Sequence, residues 1–243
     1  VKIEDPRVNG RQLFVIGDSH TAAYRTLLNR VSLKLGVTVV EYEQGGCAVA
    51  NLMAADPPDC AERQEADLSD IESRARPGDI VFLASLRMPE LQDVAFDQAL
   101  ALLTPQSNAA ARASAELTLA RLAAANVRVL IDAPKPLFKA PPGRCSDWFN
   151  RMNPVCAEGL TVEREQLERL RAPQMQLLEL LQREHSGLTA WDPFPLLCPG
   201  PVCSAYDTDG QPLFFDSNHL SGHGNRVLEP SFTEVLLKIW RNS

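Results

Sequence analysis

Short, wholly apolar runs alternate along this chain with longer stretches whose apolar residues recur every three or four positions. Leu13–Ile16 is apolar throughout, the pattern of a strand buried on both faces of a parallel sheet. Thr21–Leu35 then carries Ala22, Ala23, Leu27, Leu28, Val31 and Leu35 at helical period and closes on Gly36, a helix stop. The same alternation continues to the end. Val37–Tyr42 predicts a strand, Arg63–Arg76 a helix, and Pro77-Gly78-Asp79 a turn into a strand over Ile80–Ala84. Asn108–Ala125 predicts a helix before a strand over Val127–Ile131, and Thr161–His185 a long helix interrupted at Pro173. Leu188–Trp191 is the last strand, and Gly224–Trp240 a final helix with Val227, Leu228, Phe232, Val235, Leu236 and Ile239 on one face. Five strands alternating with helices predict an α/β protein, a three-layer α/β/α sandwich around a mostly parallel, doubly wound sheet.

Three segments escape the alternation. Ala54–Glu62 is a loop rich in Pro and Asp. Residues 134–160 contain Pro134, Pro136, Pro141, Pro142 and Pro154 and cannot be regular structure; residues 193–215 form a second insertion. Six cysteines fall in or beside these segments as three local pairs, Cys47 with Cys60, Cys145 with Cys156 and Cys198 with Cys203. Sequential pairing would staple three loops and place the chain in an oxidising compartment. Reduced core thiols or a zinc site are the alternatives, although there is no Cys-x-x-Cys and no Cys/His cluster at metal-ligand spacing, so no metal is expected.

At 243 residues the chain suits one α/β domain over residues 1–243. A net charge of −7, with its 24 Lys and Arg scattered, argues against a nucleic-acid partner. The start, Val1-Lys2-Ile3-Glu4-Asp5-Pro6-Arg7, is polar, lacks an initiator Met and does not read as a signal peptide; no apolar run is long enough to cross a bilayer. The chain therefore reads as a domain excised from a longer or processed protein.

Candidate chemistry sits at the two ends. Leu13-Phe14-Val15-Ile16 runs straight into Gly17-Asp18-Ser19-His20, which presents a serine hydroxyl on a tight turn at a helix start. There, free backbone N–H groups can receive a developing oxyanion. Asp216-Ser217-Asn218-His219 supplies a carboxylate and an imidazole three residues apart, on one face of a turn. Ser19 is thus the candidate nucleophile, His219 its base and Asp216 the group that fixes the imidazole tautomer. Either motif alone reads equally as a helix cap or a polar pair; their conjunction gives the chemical reading its weight. Glycines at Gln44-Gly45-Gly46-Cys47 let the backbone approach a ligand or simply make a turn.

On these residues the chain resembles the SGNH/GDSL hydrolases and esterases. The variant Gly-Asp-Ser-His, the Gly45-Gly46-Cys47 segment and the run from Tyr206-Asp207 to Phe215-Asp216-Ser217-Asn218-His219-Leu220-Ser221 are most similar to SGNH domains fused to acyltransferase-3 membrane proteins, which O-acylate bacterial surface polysaccharides. The resemblance implies the flavodoxin-like SGNH fold and an O-acyltransferase, typically an O-acetyltransferase, with an acyl-serine intermediate and no cofactor. Its partners would be an acyl donor, a carbohydrate acceptor and a membrane-embedded acyltransferase-3 domain, its location periplasmic and tethered to the inner membrane. A stand-alone carbohydrate acetylesterase or lipase, or a non-catalytic glycan-binding module, are the other readings.

The usual SGNH pattern has a Gly-x-Asn-Asp block after the third strand whose asparagine completes the oxyanion hole. Here the matching position reads Ala84-Ser85-Leu86-Arg87. The backbone N–H groups of Ser19 and Gly46 remain, and Arg87 or Ser85 is the candidate third donor, a surface salt bridge being the alternative for Arg87. His20, Trp148 and Asn218 are candidate substrate contacts, although His20 could equally order the turn, and Trp148 with Phe149 could form the insertion's own small core. His185 reads as a solvated helix cap, and His223 as a flexible exposed residue or a backup base.

Overall fold

The computed structural model describes residues 5–53, 57–89, 98–99, 104–150 and 152–242; residues 54–56 of the expected Pro- and Asp-rich loop lie outside them. Five parallel strands form the central sheet in the order β2-β1-β3-β4-β6: β1 (Gln12–Gly17), β2 (Thr38–Glu43), β3 (Ile80–Leu83), β4 (Arg128–Asp132) and β6 (Leu188–Trp191). The order reverses direction at β1, so the carboxyl ends of β1 and β3 flank a crevice of the kind that receives ligands in open α/β sheets.

Side-chain alternation along the strands builds two separate cores. Leu13, Val15, Ile80, Phe82, Leu130 and Trp191 face one layer, where they meet Leu27, Leu28 and Val31 of α2 (Arg25–Leu35) and Leu228, Phe232 and Leu236 of the last helix. Phe14, Ile16, Val81, Leu83, Val129 and Ile131 face the other, against Leu68 and Ile71 of α3 (Pro58–Arg74), Ala115, Leu119 and Leu122 of α4 (Pro105–Ala124), and Leu177, Leu178 and Leu181 of α5 (Arg164–Glu184). The result is the expected three-layer α/β/α sandwich. Phe82 is fully buried among the rings of Tyr24, Trp191 and Phe232. Truncating it to alanine would cost about 3–5 kcal/mol.

Several elements differ from the sequence expectation. The first helix begins at Ser19 rather than Thr21 and breaks at Tyr24, giving α1 (Ser19–Ala23) and then α2. α3 starts at Pro58, a residue suited to a first helical turn, five positions before the expected Arg63. The long helix is not interrupted at Pro173: α5 runs through it, because its apolar stripe from Leu167 to Leu181 stays buried on both sides of the proline. Thr161–Glu163, expected as helix, is instead a strand, β5, which pairs antiparallel with β7 (Val202–Ser204). That small sheet joins the two insertions, and no periodicity announced it. Residues 134–160 hold two single helical turns, Pro142–Cys145 and Pro154–Glu158.

All three local cysteine pairs are disulfides: Cys47–Cys60, Cys145–Cys156 and Cys198–Cys203. The last helix, α6 (Gly222–Arg241), is capped by Ser221, whose hydroxyl accepts from the N–H groups of His223 and Gly224. None of the helices among the described residues is long and apolar enough to cross a membrane.

Candidate active site

The turn after β1 is built for close approach. A side chain on Gly17 would collide with the Ser85 hydroxyl and crowd the Ala84 carbonyl, so only glycine fits there. Asp18 then caps α1, its carboxylate accepting from the His20 N–H at 3.0 Å, and Ser19 is the first helical residue. Capping the helix and placing the Ser19 hydroxyl are therefore two jobs of one turn. Ser19 stands where helical N–H groups have no intrahelical acceptor and where the helix dipole is positive.

The second half of the site comes from the loop before α6. Asp216 accepts hydrogen bonds from the backbone N–H of His219 (2.8 Å) and of Asn218 (3.0 Å) on one carboxylate oxygen, which winds Asp216–His219 into a tight loop. Its other oxygen meets His219 Nδ1 at 2.8 Å, and His219 Nε2 meets Ser19 Oγ at 2.7 Å across 200 residues of sequence. Ser19, His219 and Asp216 thus form one continuous chain of hydrogen bonds. Burial pushes the Asp216 carboxyl up, but the bonds from the His219 ring and from the two backbone N–H groups outweigh it and hold it below the usual carboxylate range.

Beneath the serine lies a buried polar network. Ser85 Oγ accepts from the N–H groups of Asp18 (3.3 Å) and Val49 (3.2 Å), tying the nucleophile turn to the loop after β2. That engagement fits a brace better than a donor facing the reaction. Asp132, at the end of β4, receives the Tyr24 hydroxyl at 2.8 Å, the Lys135 ammonium at 2.5 Å and the Leu86 N–H at 3.2 Å, all within the protein interior. Arg87 Nη1 stands 3.3 Å from Asp18 Oδ2, a charge contact whose carboxylate partner is fully buried. Arg87 is therefore not in a surface salt bridge; it is anchored beside the nucleophile turn. Burial pushes the Asp18 carboxyl up, against the lowering effects of the His20 N–H, Arg87 and Lys135.

The remaining candidates divide clearly. Gly46 adopts φ +78° in the Gln44–Cys47 turn, closed by the Cys47 N–H on the Gln44 carbonyl at 2.8 Å, with open space where a side chain would project. His20 is 1% exposed and stacks on the His219 ring. Asn218 is buried and, with His20, Leu86, Arg87, Met88, Lys135, Pro136 and Leu137, lines a cavity of ≈ 10 Å³. Trp148 is 80% exposed and packs edge-on against Phe149; neither is the buried core of its insertion, a role filled by Ala140 and the Cys145–Cys156 pair. The insertion touches the acid–base loop directly, since the Gly143 N–H donates to the Phe215 carbonyl at 3.1 Å. His223, expected to be flexible, is fixed by Asp207 at 2.5 Å, and His185 ends α5 as its cap. The joining of Tyr24 to the Asp132–Lys135 pair and the His20–His219 stack had no local sign in the sequence.

Among the described residues one group has metal-ligand chemistry, Cys47, Asp59 and Cys60. Its two sulfurs are bonded to each other, so they offer no thiolate.

A serine on the first sheet crossover meets an imidazole that in turn meets a carboxylate, both delivered by a late loop, in an α/β/α sandwich; that combination defines the class to which the chain is compared. Within it, the family model described as the SGNH domain (fused to AT3 domains) matches residues 2–234, and the chain belongs to that family. Among solved structures, the chain is similar to the periplasmic domain of a lipopolysaccharide acetyltransferase of Salmonella ser. Paratyphi A, with TM-score 0.62 and 16% identity over 94% of this chain and 85% of that one. It is also similar to an acetylxylan esterase from Geobacillus stearothermophilus, with TM-score 0.47 and 15% identity over 94% of each chain. No curated protein matches the sequence.

Proposed function

We propose that this chain is an O-acyltransferase domain, acetyl being the group transferred, that modifies hydroxyls of a bacterial surface polysaccharide through an acyl-serine on Ser19. The observation that carries the reading is the unbroken Ser19–His219–Asp216 hydrogen-bond chain in a member of a family whose SGNH domains are fused to AT3 domains. The lipopolysaccharide acetyltransferase whose periplasmic domain shares the fold supports the choice of acceptor. In this reading residues 1–243 are a single domain of a longer protein, held outside the cytoplasm beside a membrane-embedded acyltransferase-3 domain that supplies the acyl group. Three disulfides suit an oxidising compartment.

The proposed mechanism follows the geometry. Ser19 Oγ gives its proton to His219 Nε2 as it attacks the acyl carbonyl, and Asp216 holds the Nδ1–H tautomer and stabilises the imidazolium. The backbone N–H groups of Ser19 and Gly46 and the guanidinium of Arg87 receive the oxyanion. His219 returns its proton to the leaving group. It then takes the proton of an incoming sugar hydroxyl as that oxygen attacks the acyl carbonyl, and gives it to Ser19 Oγ as the acyl–serine bond breaks. Asn218, beside the base, and Trp148, exposed on the neighbouring insertion, are the proposed acceptor contacts.

The experiment is peptide mapping of the acyl-enzyme formed from p-nitrophenyl acetate, with and without a polysaccharide acceptor. An acetyl group on Ser19, absent from Ser19→Ala and moved onto the glycan when acceptor is present, is the expected result. Acetyl on another residue would overturn the nucleophile assignment, and loss only to water in the presence of acceptor would make the chain an esterase.

A further inference from the structure

His20 is a buried imidazole that no step above uses. Both its ring nitrogens are buried without a hydrogen-bond partner, while its ring lies over that of His219 with centroids 4.6 Å apart and planes 25° from parallel. Burial first, and then the positive charges of Lys135 and Arg87 and the neighbouring His219, push its pKa well below the ordinary histidine value, so the ring stays neutral. A polar ring buried with unmet nitrogens is a costly choice that calls for an explanation. At 1% exposure, contact with substrate is a poor one.

The bonds on His219 suggest a better explanation. Ser19 and Asp216 hold its two ring nitrogens at 2.7 and 2.8 Å. Two bonds at opposite ends of a ring fix its position along the line between them, yet leave it free to rock about that line. A flat surface against one face removes the rocking. A neutral aromatic face also tolerates the positive charge that His219 acquires when Ser19 loses its proton, where a second cation would oppose it.

We propose that His20 is a positioning residue for the base: its ring is the surface that keeps His219 in the plane shared by Ser19 and Asp216. The assignment rests on reading His219 as the base, so His219→Ala is run alongside. His20→Ala, His20→Phe and His20→Gln are compared on p-nitrophenyl acetate, with melting temperature as the check on folding and the downfield proton resonance of His219 Nδ1–H as a readout of ring order. His20→Ala and His20→Gln are expected to lower kcat by roughly ten- to a hundredfold with KM little changed and to broaden the Nδ1–H resonance. His20→Phe, which keeps the flat face and lacks the nitrogens, should recover most of both. Wild-type kcat in His20→Ala would overturn the proposal, as would a rise in KM at unchanged kcat. Should His20→Ala not fold, the other pair decides: activity kept by Phe and lost by Gln supports positioning, and the reverse assigns the nitrogens to hydrogen bonding. A wild-type rate in His219→Ala would mark failure of the base assignment itself.

Discussion

The two halves of the site meet at one hydrogen bond but are fastened by different physics. The Ser19 half is set in the sheet: Asp18, Ser85 and Asp132 are each fully buried, and Lys135 nearly so, holding one another and the surrounding backbone through hydrogen bonds and an ion pair. The Asp216–His219 half is a loop with about a third of the Asp216 side chain and a quarter of that of His219 exposed. Its order comes from local turns, the Phe215 N–H on the His219 carbonyl (2.8 Å), the Ser221 cap and the disulfide-braced insertions beside it. A group set in the interior holds its position tightly but leaves an unpaired charge if a partner is lost. A loop held by local turns keeps more freedom to shift. Under the proposed mechanism, the arrangement fixes the group that would become covalently bonded and leaves some freedom to the group that would move protons.

The largest effect tests the bond that joins the halves. Ser19→Ala and His219→Ala should each lower turnover of p-nitrophenyl acetate by about 10⁴-fold or more while their thermal melts stay close to wild type, and Asp216→Asn should lower turnover with similar severity. Losses that do not exceed a few-fold would mean that the hydrogen-bond chain is not the reactive one.

Next in size is a change that separates the halves by stability. Lys135→Met leaves the Asp132 carboxylate buried with one ionic partner fewer, and breaking such a pair costs about 3–5 kcal/mol. Replacing both, as Asp132→Asn with Lys135→Met, should recover part of that loss, because the unpaired charge goes too. Denaturant unfolding of the single and double variants reads this directly. A double variant whose cost equals the sum of the two single costs would show that the pair is not energetically coupled.

How much of this was legible depended on the range of the interactions. The strands were legible because each is a continuous apolar run, and Ser19, Asp216 and His219 because their motifs are local: a glycine-led turn after a strand, and a carboxylate three residues before an imidazole. Lys135 lies only three residues from Asp132, but Tyr24 reaches the same carboxylate from 108 residues away in sequence, so no short window contains the whole cluster. The strand β5 was hidden inside a helical period because its pairing partner, β7, lies some forty residues away. Pro173 misled for the opposite reason, since a local rule was overridden by the burial of α5 on the sheet.

Arg87 lies on the border between the halves and gives a smaller effect. As a donor to the oxyanion, its loss in Arg87→Ala should lower kcat on a small ester by about a hundredfold, and Arg87→Lys should restore only part, because the forked donor geometry is gone. The structure adds a second readout, since Arg87 also faces Asp18. Reduced stability with wild-type kcat in Arg87→Ala would make it a partner of Asp18 alone.

The smallest effect is a matter of sign, and it sets the halves against each other. Asp18 is pushed up by burial and Asp216 is held down by its hydrogen bonds, from the same ordinary value of 3.8. A carboxyl lowered in the folded state stabilises it above the unfolded pKa, and that contribution is lost as pH falls through the folded value. Asp216 therefore supports folding at neutral pH, begins to lose that contribution as pH falls below about 3.8, and has lost it once pH has passed its lowered folded value. For Asp18 the sign is opposite: folding is favoured while the carboxyl is protonated, and that advantage is lost as pH rises from 3.8 toward its raised value. Asp18→Asn keeps a helix-capping side chain and removes the charge, so it should be more stable than wild type at pH 7 and converge on it in acid. Asp216→Asn should be less stable than wild type at pH 7 and likewise converge in acid. Denaturant melts of the two variants from pH 3 to pH 7, within the ordinary titration range of carboxylates, should therefore diverge from wild type in opposite directions. Divergence in the same direction would mean that the two halves do not hold their carboxylates by opposite means.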